Sequence, residues 1–179
     1  MEHALIREAS LRDSAALAEL VRQEVELAQQ FSEYYELQPD FDWISYARRK
    51  LEKGDRMILV AETGDRLVGF IDTRIADYPG KTTSLLTRVR RKRQYRDSAP
   101  LKPMSWGIIE GCFVAETSRR QQIGSALVAK AMAWFQNKDI PRVELGALVN
   151  NAGAQAFWKE LGFETFRTLM QKNINAKNP

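Results

Sequence analysis

From Trp106 to the end of the chain, β-rich runs alternate with segments of helical period, and this restricts the fold more than any other feature of the sequence. WGIIEGCFVA reads as a strand. From about Gln122 to Asn137, Ile123, Leu127, Val128, Ala131 and Phe135 recur with a 3.6-residue period. RVELGALV reads as the next strand, AGAQAFWKEL as a helix ended by Gly162, and ETFRTLMQKNI as a last strand. Strands joined through helices imply a mixed sheet covered on both faces. Upstream, ALIREAS reads as a short strand, and Ser10 or Asp13 can cap a helix whose apolar stripe is Leu17, Leu20, Val21 and Val25. DFDWISYARRKLEKG reads as a second helix, stopped by Gly54. MILVAETGDRLVGFIDTRIA reads as a hairpin turned at Gly64. The expectation is one α/β domain over residues 1–179, a central mixed sheet with helices on both faces.

Composition removes several function classes. Hydrophobic residues make up 44% and charged residues 28%, which fits a globular chain. No apolar run approaches the roughly 20 residues that cross a bilayer, and the N-terminus has no basic segment leading into an apolar one, so a cytoplasmic location is expected. The single cysteine, Cys112, excludes a disulfide within the chain. The single histidine, His3, argues against a His-rich metal site or a Ser-His-Asp triad, and no metal is expected. The net charge of +4 is local. Residues 81–102 hold Lys81, Arg88, Arg90, Arg91, Lys92, Arg93, Arg96 and Lys102 against Asp97, leaving the remainder net acidic. This basic insertion, at about residues 79–104, reads first as a solvated loop and second as a contact for an acidic substrate or an adenine phosphate. Nucleic acid is not the expected partner, because Tyr95 and Trp106 are too sparse for a stacking platform.

The segment FVAETSRRQQIGSALVAKA, residues 113–131, carries the chemistry. A strand ends at Val114, a polar loop follows, and a helix begins near Gln122. Loop N–H groups and the positive end of a helix make an anion site. Arg119 and Arg120 add charge, Ser125 adds a hydroxyl, and Gly124 removes a Cβ where a ligand must approach the backbone. The pattern is neither G-x-x-x-x-G-K-[ST] nor G-x-G-x-x-G.

A second segment, LVNNAGAQAFWKELGFE at residues 148–164, adds Asn151, Ala154, Trp158, Gly162 and Phe163. Together the two segments resemble the GCN5-related N-acetyltransferases, the GNAT superfamily. Val114, Arg119 and Gly124 match V-x-x-x-x-R-x-x-G-x-G/A, with Gln122 in place of the first glycine; the second segment matches N-x-x-A-x-x-x-Y-x-x-x-G-F, with Trp158 in the tyrosine position. The resemblance implies an acyl-CoA N-acyltransferase fold and acetyl-CoA as acyl donor. It implies that backbone groups of Cys112, Phe113 and Val114 pair with the pantetheine arm between two splayed strands. It implies that Arg120, Gln121, Gln122, Ile123, Gly124 and Ser125 hold the pyrophosphate. Asn151 would contact pantetheine or orient its helix, and a main-chain N–H near Val114 would stabilise the thioester oxyanion. Trp158 is an N–H donor but not a usable acid; it is expected to bind the cofactor by packing against its thioester end, or else to pack in the core, and water would protonate the departing thiolate.

An amine acceptor, protonated at neutral pH, needs a proton acceptor within reach. Strand alternation puts Glu110, Cys112 and Val114 on one face. Some members of the family that the chain resembles place their base on this strand, so the resemblance implies Glu110 as the first choice, with Glu144 on the next strand as the alternative. The competing reading of Glu110 is a carboxylate paired with a basic residue. Cys112 reads as a small buried hydrophobe. The expected activity is direct acetyl transfer to a primary amine, a small molecule first and a protein N-terminus or lysine second. The alternatives are a non-catalytic acyl-CoA-binding regulatory module, motivated by Gln122 and Trp158, and nucleic-acid binding through the insertion. Dimers are common among proteins that resemble this chain, which makes a homodimer an expected assembly.

Overall fold

Strand β2 (Arg56–Thr63) and strand β3 (Arg66–Tyr78) form the expected hairpin, turned at Gly64 with φ +55°. A computed structural model describes residues 4–78, 101–172 and 174 of the chain. Around the hairpin, β1 (Leu5–Glu8), β4 (Met104–Val114) and β5 (Val143–Leu145) complete a sheet of order β1-β2-β3-β4-β5. All pairs are antiparallel except β4–β5, which is parallel because helix α3 (Ile123–Gln136) intervenes. The mixed α/β sheet is as expected.

Each face of the sheet carries its own helices. Leu17, Leu20 and Val21 of α1 (Ser14–Gln29) and Ala47 of α2 (Trp43–Leu51) pack with Ile58, Val60, Phe70 and Phe113. On the other face, α3 buries Ile123, Leu127, Val128, Ala131 and Phe135. Gly107 belongs to this second layer: a Cβ there would lie 2.5 Å from the Phe135 ring. Ser10 and Asp13 act together at the first helix entry, Asp13 accepting from the Ser10 N–H and hydroxyl. Asp13 also takes a bidentate pair from Arg7 of β1. Helix α2 starts on an Asp42 cap and ends at Leu51, before Gly54.

The chain divides into two compact units, Met1–Gly146 and Ala147–Pro179. In the second, Asn151 caps α4 (Ala152–Glu160) by accepting the Ala154 N–H at 3.0 Å. Gly162, φ +85°, closes it: Gly162 N–H bonds to Lys159 O and Phe163 N–H to Trp158 O. The expected strand in ETFRTLMQKNI is not formed over residues 164–172, and Phe166 and Leu169 are 74% and 96% exposed. Strand propensity is expressed only through pairing with a neighbouring strand, and residues 164–172 join no strand of the described sheet. No helix among the described residues is long and apolar enough to cross a membrane.

Candidate functional site

Strand β4 pairs with β3 along its whole length, from Met104 opposite Tyr78 to Val114 opposite Gly69, but with β5 only from Gly107 to Ile109. Strand β5 ends at Leu145, so β4 beyond Ile109 has no paired strand on that edge among the described residues. At the same point the β3–β4 register shifts, Thr73 facing Ile109 and Asp72 facing Gly111. Glu110 is the extra residue of this bulge. The bulge corrects the alternation expected for the strand. Gly107 approaches Phe135 of α3, whereas Gly111 approaches Glu24 of α1. Glu110 turns to Arg56, Arg74 and Lys50. Cys112 and Val114 register with Ile71 and Gly69, on the side of Leu127 in α3.

The bulge also decides which backbone groups of β4 meet this edge. Gly107 N–H points to β5, donating to Arg142 O at 2.9 Å, and Ala115 N–H points to β3, donating to Val68 O at 2.8 Å. Alternation then turns the N–H and C=O of Cys112 and Val114 toward the edge that β5 leaves. Two side chains meet these groups. Cys112 N–H donates to Glu24 Oε1 at 3.0 Å. Val114 O accepts from Arg119 Nε at 3.0 Å, with the guanidinium 5.8 Å from the Phe113 ring centroid.

Beyond Val114 the loop bends through two left-handed residues, Arg120 (φ 62°) and Gln122 (φ 60°). A glycine at position 122 would adopt this conformation without strain, so the glutamine keeps the backbone shape at an energetic cost. The Ala126 N–H makes the first helical bond, to Gln122 O, and no side chain caps α3. The N–H groups of Ile123, Gly124 and Ser125 thus form an uncapped helix start suited to an anion. Gln122→Gly should stabilise the protein by about 0.5–1 kcal/mol, relief of strain exceeding the added chain entropy. A thermal melt should show a rise of roughly 1–4 °C.

A charged cluster lies behind the bulge. Asp72, 1% exposed, accepts from Lys50 Nζ at 2.5 Å and from Arg56 Nη1 at 2.6 Å. Arg56 Nη1 also reaches Glu110 Oε2 at 2.9 Å, and Arg74 Nε donates to Glu110. Burial pushes Glu110 up, but its bonds to Arg74 and Arg56 outweigh that and hold it below the ordinary carboxylate range. This is the geometry of the ion-paired reading of Glu110. Glu144 pairs with Arg142 at 3.2 Å. Glu24 behaves oppositely. Burial pushes it up to about 7, against the pull of the Cys112 N–H and Lys50, with Asp72 adding to the rise. Burial and Glu24 push the Cys112 thiol up to about 12, so it stays protonated, as expected of a small hydrophobe.

The structure thus brings Glu110, Cys112, Phe113, Val114 and Arg119 to Ser125 into one strand–loop–helix. In the second unit, Trp158 packs edge-on against Phe157 and Phe163, with ring centroids 5.0 and 5.2 Å away. Arg88 to Arg96, within the basic insertion, lie outside the described residues. No group of three or more potential metal ligands occurs among the described residues. Sequence reasoning missed Glu24. Its signal was its place on the buried stripe of α1, seven residues after Leu17 and four after Leu20.

The family model for the acetyltransferase (GNAT) family matches residues 17–163. The chain belongs to that family. It is accordingly an acetyltransferase, and the resemblance drawn from its two motifs is correct. Its fold is similar to a mutant of the BH1408 protein from Bacillus halodurans, with TM-score 0.77 and 18% identity over 95% of this chain and 99% of that one. An aminoglycoside N-acetyltransferase, AAC(6')-Iy, solved in complex with CoA, aligns with TM-score 0.65 and 17% identity over 98% of this chain and 97% of that one. A ribosomal-protein-alanine N-acetyltransferase from Brucella melitensis aligns with TM-score 0.63 and 16% identity over 96% of this chain and 99% of that one. No curated protein matches the chain.

Proposed function

We propose that the protein transfers the acetyl group of acetyl-CoA to a primary amine by direct attack in a ternary complex. The observation that carries this reading is the stretch of β4 beyond Ile109 that β5 does not pair, leading through a short loop into an uncapped helix start. The residues suit such a donor. On this edge the Cys112 N–H and the Val114 O are engaged by Glu24 and Arg119, which leaves the Cys112 C=O to accept from an amide-bearing arm, Phe113 lying beside it. Arg120, Gln121, Gln122, Ile123, Gly124 and Ser125 surround the anion-binding turn. Arg119 braces the strand end through Val114 O.

Acetyl-CoA supplies the electrophilic acyl carbon and a thiol leaving group of ordinary acidity, near 8.5. The chain supplies orientation and an outward N–H at Val114, placed to hydrogen-bond an oxygen that gains negative charge. Two of the fold neighbours are N-acetyltransferases by name, which supports nitrogen as the acceptor atom.

Calorimetric titration with acetyl-CoA and with CoA should show binding at about micromolar concentration. Gly124→Trp, or Arg119→Glu with Arg120→Glu, should abolish it. A thiol-release screen over small amines and peptides then identifies the acceptor. Absence of binding at millimolar donor would overturn the reading. Binding without turnover on any amine would leave an acyl-CoA-binding module instead.

A further inference from the structure

We propose that the Glu24 carboxylate is the proton acceptor for the incoming amine. This role rests on the acyl-transfer reading above. Glu24 Oε1 accepts from the Cys112 N–H on the edge of β4 that β5 does not pair, two residues past the bulge residue Glu110. The fit depends on the glycine beneath it, since a Cβ on Gly111 would lie 3.0 Å from both Glu24 oxygens. Oε2 accepts no hydrogen bond from any described residue. The neighbouring outward N–H, at Val114, is two residues along the strand, about 7 Å away. That separation accommodates an acyl carbon and the nitrogen attacking it, with or without one water between nitrogen and carboxylate.

The surrounding charges select Glu24 over its neighbours. Lys50 of α2, Arg56 of β2 and Arg74 of β3 face Asp72 and Glu110 and are engaged by them, and the Cys112 thiol is neutral. A carboxyl that titrates near 7 is both ionised and basic at neutral pH, whereas Glu110, held low by two arginines, is a weak base. The carboxylate takes one proton from the ammonium form of the acceptor. The freed lone pair forms the N–C bond as the C–S bond breaks with its electrons going to sulfur. The second nitrogen proton passes through water to the thiolate, and Glu24 returns its proton to solvent.

The test is the pH dependence of kcat/KM for wild type and Glu24→Gln, whose amide oxygen can still accept the Cys112 N–H. Wild-type activity should climb about tenfold per pH unit below 7 and flatten above it. Glu24→Gln should lose about 10²–10³-fold in kcat near neutrality, and its rate should keep climbing above pH 8 as free amine becomes available. Acetyl-CoA binding by calorimetry should stay within about twofold. Glu24→Asp should recover part of kcat. Wild-type kinetics in Glu24→Gln, or loss of acetyl-CoA binding with folding intact, would overturn the role and leave Glu24 a structural brace. A wild type that binds acetyl-CoA but acetylates no amine would overturn the acyl-transfer reading itself, and this role with it.

Discussion

Replacing Asp72 with alanine should cost about 3–5 kcal/mol of stability. The residue sits midway along β3, opposite Ile58 of β2 and Gly111 of β4, and it holds two cations at once. Arg56 is only 6% exposed and Lys50 16%, so neither can return to water without the sheet and α2 separating. Without Asp72, Arg56 retains Glu110 at 2.9 Å and Lys50 retains it at 3.8 Å, one carboxylate for cations that also include Arg74. Arg56 Nε is already buried without a hydrogen-bond partner, so the guanidinium has no reserve contact. Whole-domain stabilities run at about 5–15 kcal/mol, and a loss of this size would leave a substantial unfolded population. Urea unfolding should show a lower midpoint at an unchanged slope. A loss under about 1 kcal/mol would mean that water reaches the cluster.

The same cluster marks where sequence reading stops. The hairpin was legible because Gly64 and the flanking β-rich runs agree locally, and α3 because its five apolar positions repeat at one period. The turn after β4 was legible as a motif, yet the left-handed φ at Gln122 was not, because glutamine rarely adopts it and only the surrounding chain imposes it. The bulge at Glu110 depends on pairing with β3, so simple alternation assigned the wrong face to the residue chosen first as a base. Glu24 and Asp72 share one cause: each interrupts an apolar stripe that otherwise reads as core. Such interruptions carry meaning only once the partners from other elements are known, here Cys112 for Glu24, and Lys50 and Arg56 for Asp72. The last strand was inferred from composition alone, and Leu169 and Met170 lie exposed instead.

Glu24→Gln should make the protein more stable than wild type at pH 8, by about 2 kcal/mol, and no more stable at pH 4. The sign follows from a folded-state value raised from 4.5 to about 7, with burial the leading cause. Below 4.5 the carboxyl is protonated whether the chain is folded or not, and its burial carries no charge penalty. Between 4.5 and 7 the unfolded chain releases the proton while the folded one retains it, so stability falls by up to about 1.4 kcal/mol per pH unit. Above 7 both states are ionised and the penalty is constant. The full shift would give about 3 kcal/mol; partial access of water to the carboxylate reduces this to about 2. Thermal melts of variant and wild type at the same pH isolate the effect, with a difference of roughly 4–8 °C at pH 8. Comparison at equal pH is needed because Asp13 acts in the opposite direction. Arg7 holds it below the usual range, so its contribution is lost as pH falls through the acid range. A glutamine would satisfy the Cys112 N–H without the penalty. A carboxylate kept there at the expense of stability is the signature of a group retained for its proton. Equal stability at both pH values would mean that Glu24 is solvated and titrates like any surface carboxylate, and the case for it as a base near neutrality would lose its thermodynamic support.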